Sequence, residues 1–403
     1  MSTSILYHGF GIYGYRYTST QYRDGAIIFT IEKDPHSLRC PCCKSGKVTR
    51  RGFQTRWFHA LPIGRKQIYI KLDIPRVFCR LCGFVRQITI GFADERLTYA
   101  KSFERYVVEL SRHMTIQDVA QHLGVGWDMI KEIQRHYLTK RYSHPRLKDI
   151  ELIAIDEISI GKGHNYLTVV LDLISGAVVF IGNGKGAEAL VPFWKRLKSS
   201  RAQIQAVAMD MSPAYISAVS ENLPKATIVF DHFHLIKLFN EKLSDLRRDL
   251  HQQATEDGKK VLKGLRWLLL KNPDNLKQQY NEQERLEQAL LLNSSLSTAY
   301  YLKEDLRQLW FQKNKKQATA YLNDWIARAK SSGIKMLLTF SDTLEKHRTG
   351  ILSYFDFPIS TGPLEGTNNK IKTLQKQAYG FRDMEFFKLK ILGLHETKYA
   401  LVG

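Results

Sequence analysis

From residue 151 onward, apolar runs and helical stretches follow one another in an order that few folds can accommodate. Apolar runs at residues 152–160, 166–174 and 177–182 are separated by glycine-containing turns, which predicts three consecutive antiparallel strands. The pattern then predicts a helix at "AEALVPFWKRLKSS", a strand at "IQAVAMD", a helix at "PAYISAVSENL", a strand at "ATIVFD" and a long helix from about His232.

This order of three strands, helix, strand, helix, strand and helix is that of the ribonuclease H-like fold. In that mixed sheet the first strand is central and the fourth lies beside it. The first run, "LIAIDEISI", carries Asp156 and Glu157 among apolar residues, and the fourth, "AVAMD", ends in Asp210. We expect Asp156 and Asp210 to reach the same edge of the sheet. Two carboxylates repel each other at close range, so their pairing indicates a divalent cation.

Mg²⁺ (or Mn²⁺) prefers oxygen ligands, and two such ions about 3.5 to 4 Å apart act on both the attacking and leaving oxygens of a phosphodiester. Strand alternation sends Asp156 and Glu157 to opposite faces, and we assign Asp156 to the metals. A third carboxylate, Glu365, begins a predicted helix in "FPISTGPLEGTNNKIKTLQKQAYGF". Asn369 and Lys372 follow on the same face, where they could hold phosphates.

Three other polar residues near these strands have simpler interpretations. Asp172 closes the second predicted strand, where an aspartate more often forms a turn than binds a metal. Asp231 and His234, in "DHFH", could cap a helix and satisfy each other. A direct catalytic role for this pair is the less favoured interpretation.

All five cysteines lie between residues 40 and 82. Two Cys-x-x-Cys pairs, Cys40 with Cys43 and Cys79 with Cys82, have the spacing with which thiolates hold one structural Zn²⁺. The stretch between them, "RWFHALPIGRKQIYIKLDIPRVF", alternates as a hairpin that would return the chain to the site. Cys42 is then either a free thiol or a replacement for Cys40 or Cys43 as ligand.

Residues 101–137 have the outline of a helix-turn-helix. Thr115 can cap one helix, and Gly124 can turn the chain into the next. This arrangement would leave Lys131, Gln134 and Arg135 on the outer face of the second helix for a DNA major groove. A plain helical hairpin with solvated charges is the alternative. The segment "LTKRYSHPRLKD", which follows, is interpreted as a basic linker.

Residues 240–350 are rich in Leu, Gln and Lys and are predicted to be helical throughout, as an insertion into the catalytic domain. Most tryptophans at helical spacing are core residues. Trp267 is the candidate exception, because its ring could stack on an unpaired base while basic neighbours such as Lys271 hold the backbone.

The charge of the chain favours a polyanionic partner. Its 403 residues carry a net charge of +21 with a pI near 9.6, which suits nucleic acid. No apolar run of about 18 residues or more predicts a membrane span, so no membrane partner is expected. The start, "MSTSILYHGFGIYGYRY", shows no signal peptide, and we expect an intracellular protein.

Several segments together resemble the bacterial DDE transposases of the ISL-three insertion-sequence family: "AIDEISIGKGHNYLTVVLD", "AVAMDMSPAY", "VFDHFHLIK", "WLLLKNP" and "LEGTNNKIKTLQKQAYGFRD". The resemblance implies that Asp156, Asp210 and Glu365 are the catalytic triad, with Asp231 and His234 close to the active site. It also implies cleavage of transposon ends by water, joining of the freed 3′-hydroxyl to target DNA, and assembly as a dimer or higher oligomer. The expected location is the bacterial cytoplasm, at the nucleoid.

This interpretation divides the multidomain α/β chain into five segments. They are a zinc-binding module (1–95), a helix-turn-helix (96–145), the first part of the catalytic domain (150–240), a helical insertion (241–350) and the part carrying Glu365 (351–403). Two alternatives differ in function. A zinc and helix-turn-helix transcription regulator with an inactive catalytic domain would need no Mg²⁺, and a structure-specific nuclease would cut DNA without joining it.

Overall fold

The computed structural model describes residues 4–161 and 163–395, which form two compact units. Of the described residues, the first unit comprises 4–144 with 373–395, and the second comprises the rest. The strands are β1 (Tyr15–Arg23), β2 (Ala26–Lys33), β3 (Val48–Ile63), β4 (Lys66–Cys79), β5 (Val85–Gln87), β6 (Leu152–Ser159), β7 (Tyr166–Asp172), β8 (Val178–Asn183), β9 (Ala206–Met209) and β10 (Thr227–Phe230). The helices are α1 (Ile5–His8), α2 (Lys101–Leu110), α3 (Ile116–Leu123), α4 (Trp127–Tyr142), α5 (Val191–Ser200), α6 (Pro213–Asn222), α7 (His232–Gln253), α8 (Glu256–Lys263), α9 (Glu282–Leu291), α10 (Ser294–Leu306), α11 (Lys315–Ser331), α12 (Lys335–Lys346), α13 (Arg348–Leu352), α14 (Gly362–Gln377) and α15 (Met384–Leu392).

The first unit contains a mixed sheet in the order β1-β2-β4-β3, with β5 beside β4. β3 and β4 form the predicted hairpin, in which Ile63 pairs with Lys66 at the turn. The apolar residues on its inner face, such as Phe58 and Ile70, are fully buried. Because one cysteine pair precedes β3 and the other lies at the end of β4, the open end of the hairpin brings the two pairs together.

The predicted helix-turn-helix consists of α3 and α4, with α2 packed against α4. The Thr115 hydroxyl accepts a hydrogen bond from the Asp118 amide at 3.2 Å, and the Asp118 carboxylate accepts one in return from the Thr115 amide. Gly124 ends α3 with a φ of 63°, a conformation that glycine adopts without strain. Val119 and Ile133 are fully buried between these helices.

The predicted linker at residues 138–149 begins too early, because α4 continues through Tyr142. Leu138 and Tyr142 are buried in one cluster with Phe386 of α15. Their packing partner lies far downstream in the chain, so local sequence could not reveal that these residues extend the helix.

The second unit contains a mixed sheet in the order β10-β9-β6-β7-β8. β6, β7 and β8 are antiparallel neighbours, which confirms the three predicted strands. β9 runs parallel to both β6 and β10, so the first strand of the unit is central and the fourth lies beside it. The carboxyl ends of β6, β9 and β10 therefore share one edge of the sheet.

Helices α7 to α13 confirm the predicted helical character of residues 241–350, except in the segment between α8 and α9. That segment, residues 264–281, consists mainly of turns and short 3₁₀ helices, and Pro273 interrupts any continuous helix there. Trp325 is fully buried and donates its indole N–H to the Leu302 carbonyl at 2.8 Å, as expected of a core tryptophan. Across the described residues, no helix has the length and apolar character needed to span a bilayer.

Candidate active site and metal-binding residues

Three aspartates lie in a row at the carboxyl edge of the second sheet. Asp156 lies near the end of β6, while Asp210 directly follows β9 and Asp231 directly follows β10. Ala154 is paired with Ala208 in the parallel register, so the residues two positions further along, Asp156 and Asp210, are also aligned. The pairing of Met209 with Phe230 aligns Asp210 with Asp231 in the same way. Parallel register places all three on one face of the sheet.

Asp156 and Glu157 have different surroundings, as strand alternation predicts. Asn368 of α14 donates from Nδ2 to Asp156 Oδ2 at 2.9 Å. Glu157 pairs across the strands with Thr168, whose hydroxyl shares a 3.0 Å hydrogen bond with the Tyr215 hydroxyl of α6. The pKa of Tyr215 is raised, first by burial and further by the charge of Glu157. The two acids therefore face different helices.

The electrostatic environment of Asp156 is that of a crowded anionic site. Burial raises the pKa of Asp156, and the carboxylates of Asp210 and Glu157 raise it further. A positive charge on His234 acts in the opposite direction. The site therefore favours an additional positive charge near Asp156.

Asp231 and His234 form the pair expected from "DHFH". The His234 Nδ1 lies 3.1 Å from Asp231 Oδ2, which also accepts a hydrogen bond from the Thr361 hydroxyl at 2.5 Å. Burial acts to raise the pKa of Asp231, but its contacts with His234 and Thr361 outweigh burial and lower it. The hydrogen bond to Asp231 raises the pKa of His234, so this histidine carries positive charge more readily than an isolated one.

Glu365 lies in the first turn of α14, as predicted, and its side chain is exposed. Asn368, one turn later, is buried and reaches Asp156, so this helix contacts the acidic edge of the sheet. Among the described acids, the oxygens of Asp156, Asp210 and Glu365 do not all lie within 4.8 Å of one another. Sequence reasoning missed Asn368, because the pattern drew attention to exposed Asn369 and Lys372 instead.

Two buried oxygen atoms near the carboxyl edge of the second sheet are suited to bind a cation. Asn368 Oδ1 and Asp231 Oδ1 are both buried without a hydrogen-bond partner in the structure. A buried acceptor without a partner is costly, and amide and carboxylate oxygens are the ligands that divalent ions such as Mg²⁺ prefer. The donor set at this edge therefore suits a hard cation.

Asp172 forms the predicted turn rather than a metal site. Its carboxylate accepts hydrogen bonds from the backbone amides of Ile174 and Ser175, at 3.2 and 3.1 Å. It lies at the end of β7 opposite Ile153, at the start of β6 and away from the aspartate row.

Four cysteines form a second candidate metal site, in the first unit. The sulfur atoms of Cys40, Cys43, Cys79 and Cys82 all lie within 4.8 Å of one another, while Cys42 is exposed and stands outside the group. The backbone amide of Cys43 is the main cause that lowers the pKa of Cys40 to about 6. The hydrogen bond with Cys43 is the main cause that raises the pKa of Cys82 to about 12. Four sulfur atoms this close together form the donor set of a tetrahedral metal site, and a bound cation would stabilise their thiolate forms.

A further group of Asp94, Glu104 and His136 could also hold a metal by distance alone. However, Lys101 and Lys140 each approach an Asp94 oxygen at 3.1 Å. Two ammonium groups already neutralise this carboxylate, so we interpret the group as an ion-pair network around α2 and α4.

The predicted DNA-contacting face of α4 is partly covered within the first unit. Gln134 is buried and bonded to Lys390 of α15 at 3.0 Å, so its expected position on the outer face is wrong. Lys131 and Arg135 both form ion pairs with Asp383, which caps α15. Sequence reasoning could not see this, since the covering residues lie far downstream.

In the helical part of the second unit, Trp267 is 65% exposed, and the Arg266 guanidinium lies 4.9 Å from the centre of its ring. The predicted contact residue Lys271 instead forms a salt bridge with Glu282 at 2.6 Å. Trp267 therefore remains accessible, whereas the charge of Lys271 is already compensated.

Comparison with known proteins identifies the family. Residues 153–391 match the transposase model of family ISL3, and residues 90–138 match the "Helix-turn-helix domain of transposase family ISL3". The chain is 34% identical over 374 residues to the transposase for insertion sequence element IS1001 of Bordetella parapertussis, covering 91% of this chain and 92% of that protein. The chain belongs to the ISL3 family of transposases.

Another relative of this transposase is that for insertion sequence element IS1557 of Mycobacterium tuberculosis. It is 28% identical over 409 residues, which cover 94% of this chain and 91% of the relative. Among solved structures, the Drosophila P element transposase strand transfer complex aligns with 64% of this chain and 79% of that one, at 11% identity and a TM-score of 0.34.

The family membership confirms the predicted function class. The protein is a DDE transposase that acts on DNA, and its helix-turn-helix is a DNA-binding domain of that family. The alternative of a transcription regulator with an inactive catalytic domain is not favoured. The match to the transposase model covers residues 153–391, which include Asp156, Asp210 and Glu365.

Proposed function

We propose that this transposase binds the terminal inverted repeats of its insertion sequence, cleaves the DNA at the transposon ends and joins the freed 3′-hydroxyl to target DNA. The observation that carries the proposal is the register alignment of Asp156 and Asp210 beside Asn368 of α14, the helix that also carries Glu365. The strand order, with an antiparallel second strand and parallel fourth and fifth strands, supports a ribonuclease H-like catalytic domain.

In this proposal Asp156, Asp210 and Glu365 are the catalytic residues and bind two Mg²⁺ or Mn²⁺ ions. Bound there, such ions would activate the attacking oxygen and stabilise the leaving oxygen of the phosphodiester. Asn368 orients the Asp156 carboxylate by donating one hydrogen bond to it. Two buried oxygens at this edge, Asn368 Oδ1 and Asp231 Oδ1, lack hydrogen-bond partners, although His232 Nδ1 lies 3.6 Å from the latter, and they support a hard cation there.

His234 and Asp231 act as supporting residues in this proposal. Asp231, which accepts a hydrogen bond from Thr361, holds the imidazole at the acidic edge, and the raised pKa of His234 favours a positive charge near Asp156 and Asp210. A positive charge in that position lessens the repulsion between the carboxylates.

The four-cysteine group is proposed to hold one structural Zn²⁺. Four sulfur ligands from two Cys-x-x-Cys turns match the coordination that zinc adopts in structural sites. The ion would fasten the open end of the β3–β4 hairpin and so stabilise the module in front of the helix-turn-helix.

Side chains outside the acidic site are proposed to contact DNA, and the protein is proposed to assemble on it. We infer that DNA is contacted by Lys131, Arg135, Trp267, Lys271, Asn369 and Lys372, and that the first two segments, 1–95 and 96–145, bind the ends; buried Gln134 is left out of this set. The catalytic domain with its insertion would then comprise the segments 150–240, 241–350 and 351–403. Contact through α4 would require α15 to release Lys131 and Arg135 from Asp383. We also propose a dimer or higher oligomer on paired ends, acting in the bacterial cytoplasm.

A single incubation tests the proposal. The protein is mixed with Mg²⁺ and short duplexes that carry the inverted repeats flanking its gene, and the products are separated on a denaturing gel. Nicking followed by strand transfer supports the transposition chemistry. Nicking without joining favours a structure-specific nuclease, and binding without nicking overturns the catalytic assignment.

A further inference from the structure

A basic cleft of about 580 Å³ lies between α7, α8 and the segment that follows α8. A single carboxylate, that of Glu256, lines it, whereas most of the other lining residues are cationic. The cationic side chains are Arg247, Arg248, Lys259, Lys260, Lys263 and Arg266.

Half of these charges have carboxylate partners. Arg248 pairs with Asp245, Lys259 with Glu256 at 2.8 Å, and Lys260 with Asp257 at 3.2 Å. All three pairs join residues three apart on the helix surface, where such contacts are weak. Within the described part of the chain, Arg247, Lys263 and Arg266 have no carboxylate oxygen within 4.0 Å. The cleft therefore retains uncompensated positive charge.

Arg247 shows the effect of this excess charge. Burial lowers the pKa of Arg247, and repulsion by Arg266 and Arg248 lowers it further. Its Nη1 donates to the Leu262 carbonyl at 3.1 Å, while its Nε is buried without an acceptor. An anion in the cleft would relieve the repulsion between these guanidinium groups.

The end of α8 and the residues that follow it present their cations to solvent from a buried apolar base. Leu262, Leu265, Leu268 and Leu269 are buried in the main core of the second unit, so the residues between them, Lys263, Arg266 and Trp267, face outward. The backbone of residues 262–269 is held at both ends, because Arg247 donates to the Leu262 carbonyl and the buried Lys303 donates to the Leu269 carbonyl at 2.7 Å.

We propose that this cleft binds the phosphates of a DNA strand, with Lys263 and Arg266 as the principal contacts and Trp267 stacking on a base at the rim. This rests on the proposed function, since it assigns a surface to the DNA on which the transposase acts. Cations beside an exposed aromatic ring are the combination with which proteins hold a nucleic acid backbone and its bases. A small inorganic anion would engage the cations but not the indole.

The test uses the full chain and the double variant Lys263→Gln with Arg266→Gln. The matched control is Lys313→Gln with Lys316→Gln, which removes the same charge from exposed positions in the same helical region. Binding to duplex and single-stranded DNA is measured at several salt concentrations. Removing one cation that touches a phosphate should reduce the slope of log affinity against log salt by about 0.7 to 0.9. We expect the cleft variant to show a slope smaller by about 1.5 and an affinity about tenfold weaker near 0.1 M salt, and the control to change much less.

A third variant, Trp267→Ala, should weaken single-stranded binding by at least about fivefold, because the stacking of one base is removed. Equal effects in the cleft and control variants would overturn the proposed site, and the proposed function would stand if the wild-type protein still cleaves the end duplexes. Failure of the wild-type protein to bind or cleave those duplexes would instead overturn both. Circular dichroism checks that the exposed substitutions leave the fold intact.

Discussion

At the scale of single residues, Asn368 links the helix of Glu365 to the strand of Asp156. Its amide donates to the carboxylate at 2.9 Å, and the contact is mostly shielded from water. A hydrogen bond to a charged group contributes about 1.5 to 3 kcal/mol. Asn368 is therefore a positioning residue for the proposed metal site.

Asn368→Ala should lower the cleavage rate about tenfold or more and raise the Mg²⁺ concentration needed for half-maximal rate, because Asp156 is no longer held in a fixed orientation. Thr367→Ala is the control, since the Thr367 hydroxyl bonds locally to the Pro363 carbonyl. Single-turnover cleavage over a Mg²⁺ titration measures both variants. An Asn368→Ala curve identical to that of the wild type would remove Asn368 from the site.

Sequence alone can identify residues whose role depends on their own strand or turn. Strand alternation separates Asp156 from Glu157, and a position at a strand end assigns Asp172 to a turn; the structure bears out both placements. Asn368 and Gln134 could not be assigned in this way. Each owes its environment to a residue more than 200 positions away, Asp156 and Lys390 respectively.

At the scale of elements, α15 packs on α4 through Phe386 and is joined to it by the ion pairs of one carboxylate. Asp383 accepts a hydrogen bond from the Phe386 amide at the start of α15 and pairs with Lys131 and Arg135 of α4. These contacts, with the Phe386 amide as the largest cause, lower the pKa of Asp383 to about 2.

Asp383→Asn keeps a helix-capping side chain but removes the charge, so it isolates the ion pairs. We expect it to lower the free energy of unfolding by about 1 kcal/mol at pH 7, since the site is partly exposed. The pKa of Asp383 is depressed in the folded state, so its contribution is present above about pH 4. That contribution disappears as the pH falls toward about 2. Thermal unfolding of the wild type and of Asp383→Asn between pH 7 and pH 3 measures the difference in their stability. A stability difference that does not change with pH would contradict the prediction.

The open end of the β3–β4 hairpin carries the proposed zinc site. Cys82→Ser should abolish stoichiometric zinc binding and destabilise the first unit, because structural zinc contributes directly to folding. Cys42→Ser is the matched control, since Cys42 is exposed and lies outside the four-sulfur group. Elemental analysis of the purified proteins measures the metal. A wild-type protein without zinc, or a Cys42→Ser protein that no longer binds it, would show that the assigned ligands are wrong.

The hairpin, the helix-turn-helix and the five strands of the second sheet could all be predicted, because each has its own periodicity and turn residues. The end of α4 could not, because it depends on the packing of Leu138 with Phe386, a partner far downstream. The irregular segment at residues 264–281 was missed although Pro273 is a local signal against a continuous helix, because the prediction rested on the helical composition of the whole stretch.

At the scale of the whole molecule, the proposed function has two or more copies of a basic chain assemble on paired DNA ends. The net charge of +21 favours DNA but also opposes association of protein chains without it. We therefore expect the protein to form a dimer or larger particle when end duplexes neutralise that charge. Light scattering with and without the duplex measures this, and a particle with one protein chain under cleavage conditions would contradict it.

Of the two adjacent acids on β6, Asp156 is the one proposed to serve the chemistry. The most direct measurement compares Asp156→Asn with Glu157→Gln in the cleavage and strand-transfer assay, with duplex binding followed in parallel. We predict that Asp156→Asn lowers the cleavage rate by more than about a hundredfold, because metal-dependent charge stabilisation is worth several kcal/mol, while duplex binding persists. Glu157→Gln, which faces the Thr168 and Tyr215 side, should cleave and join DNA at nearly the wild-type rate. An active Asp156→Asn protein, or an inactive Glu157→Gln protein that still binds DNA, would contradict the assignment.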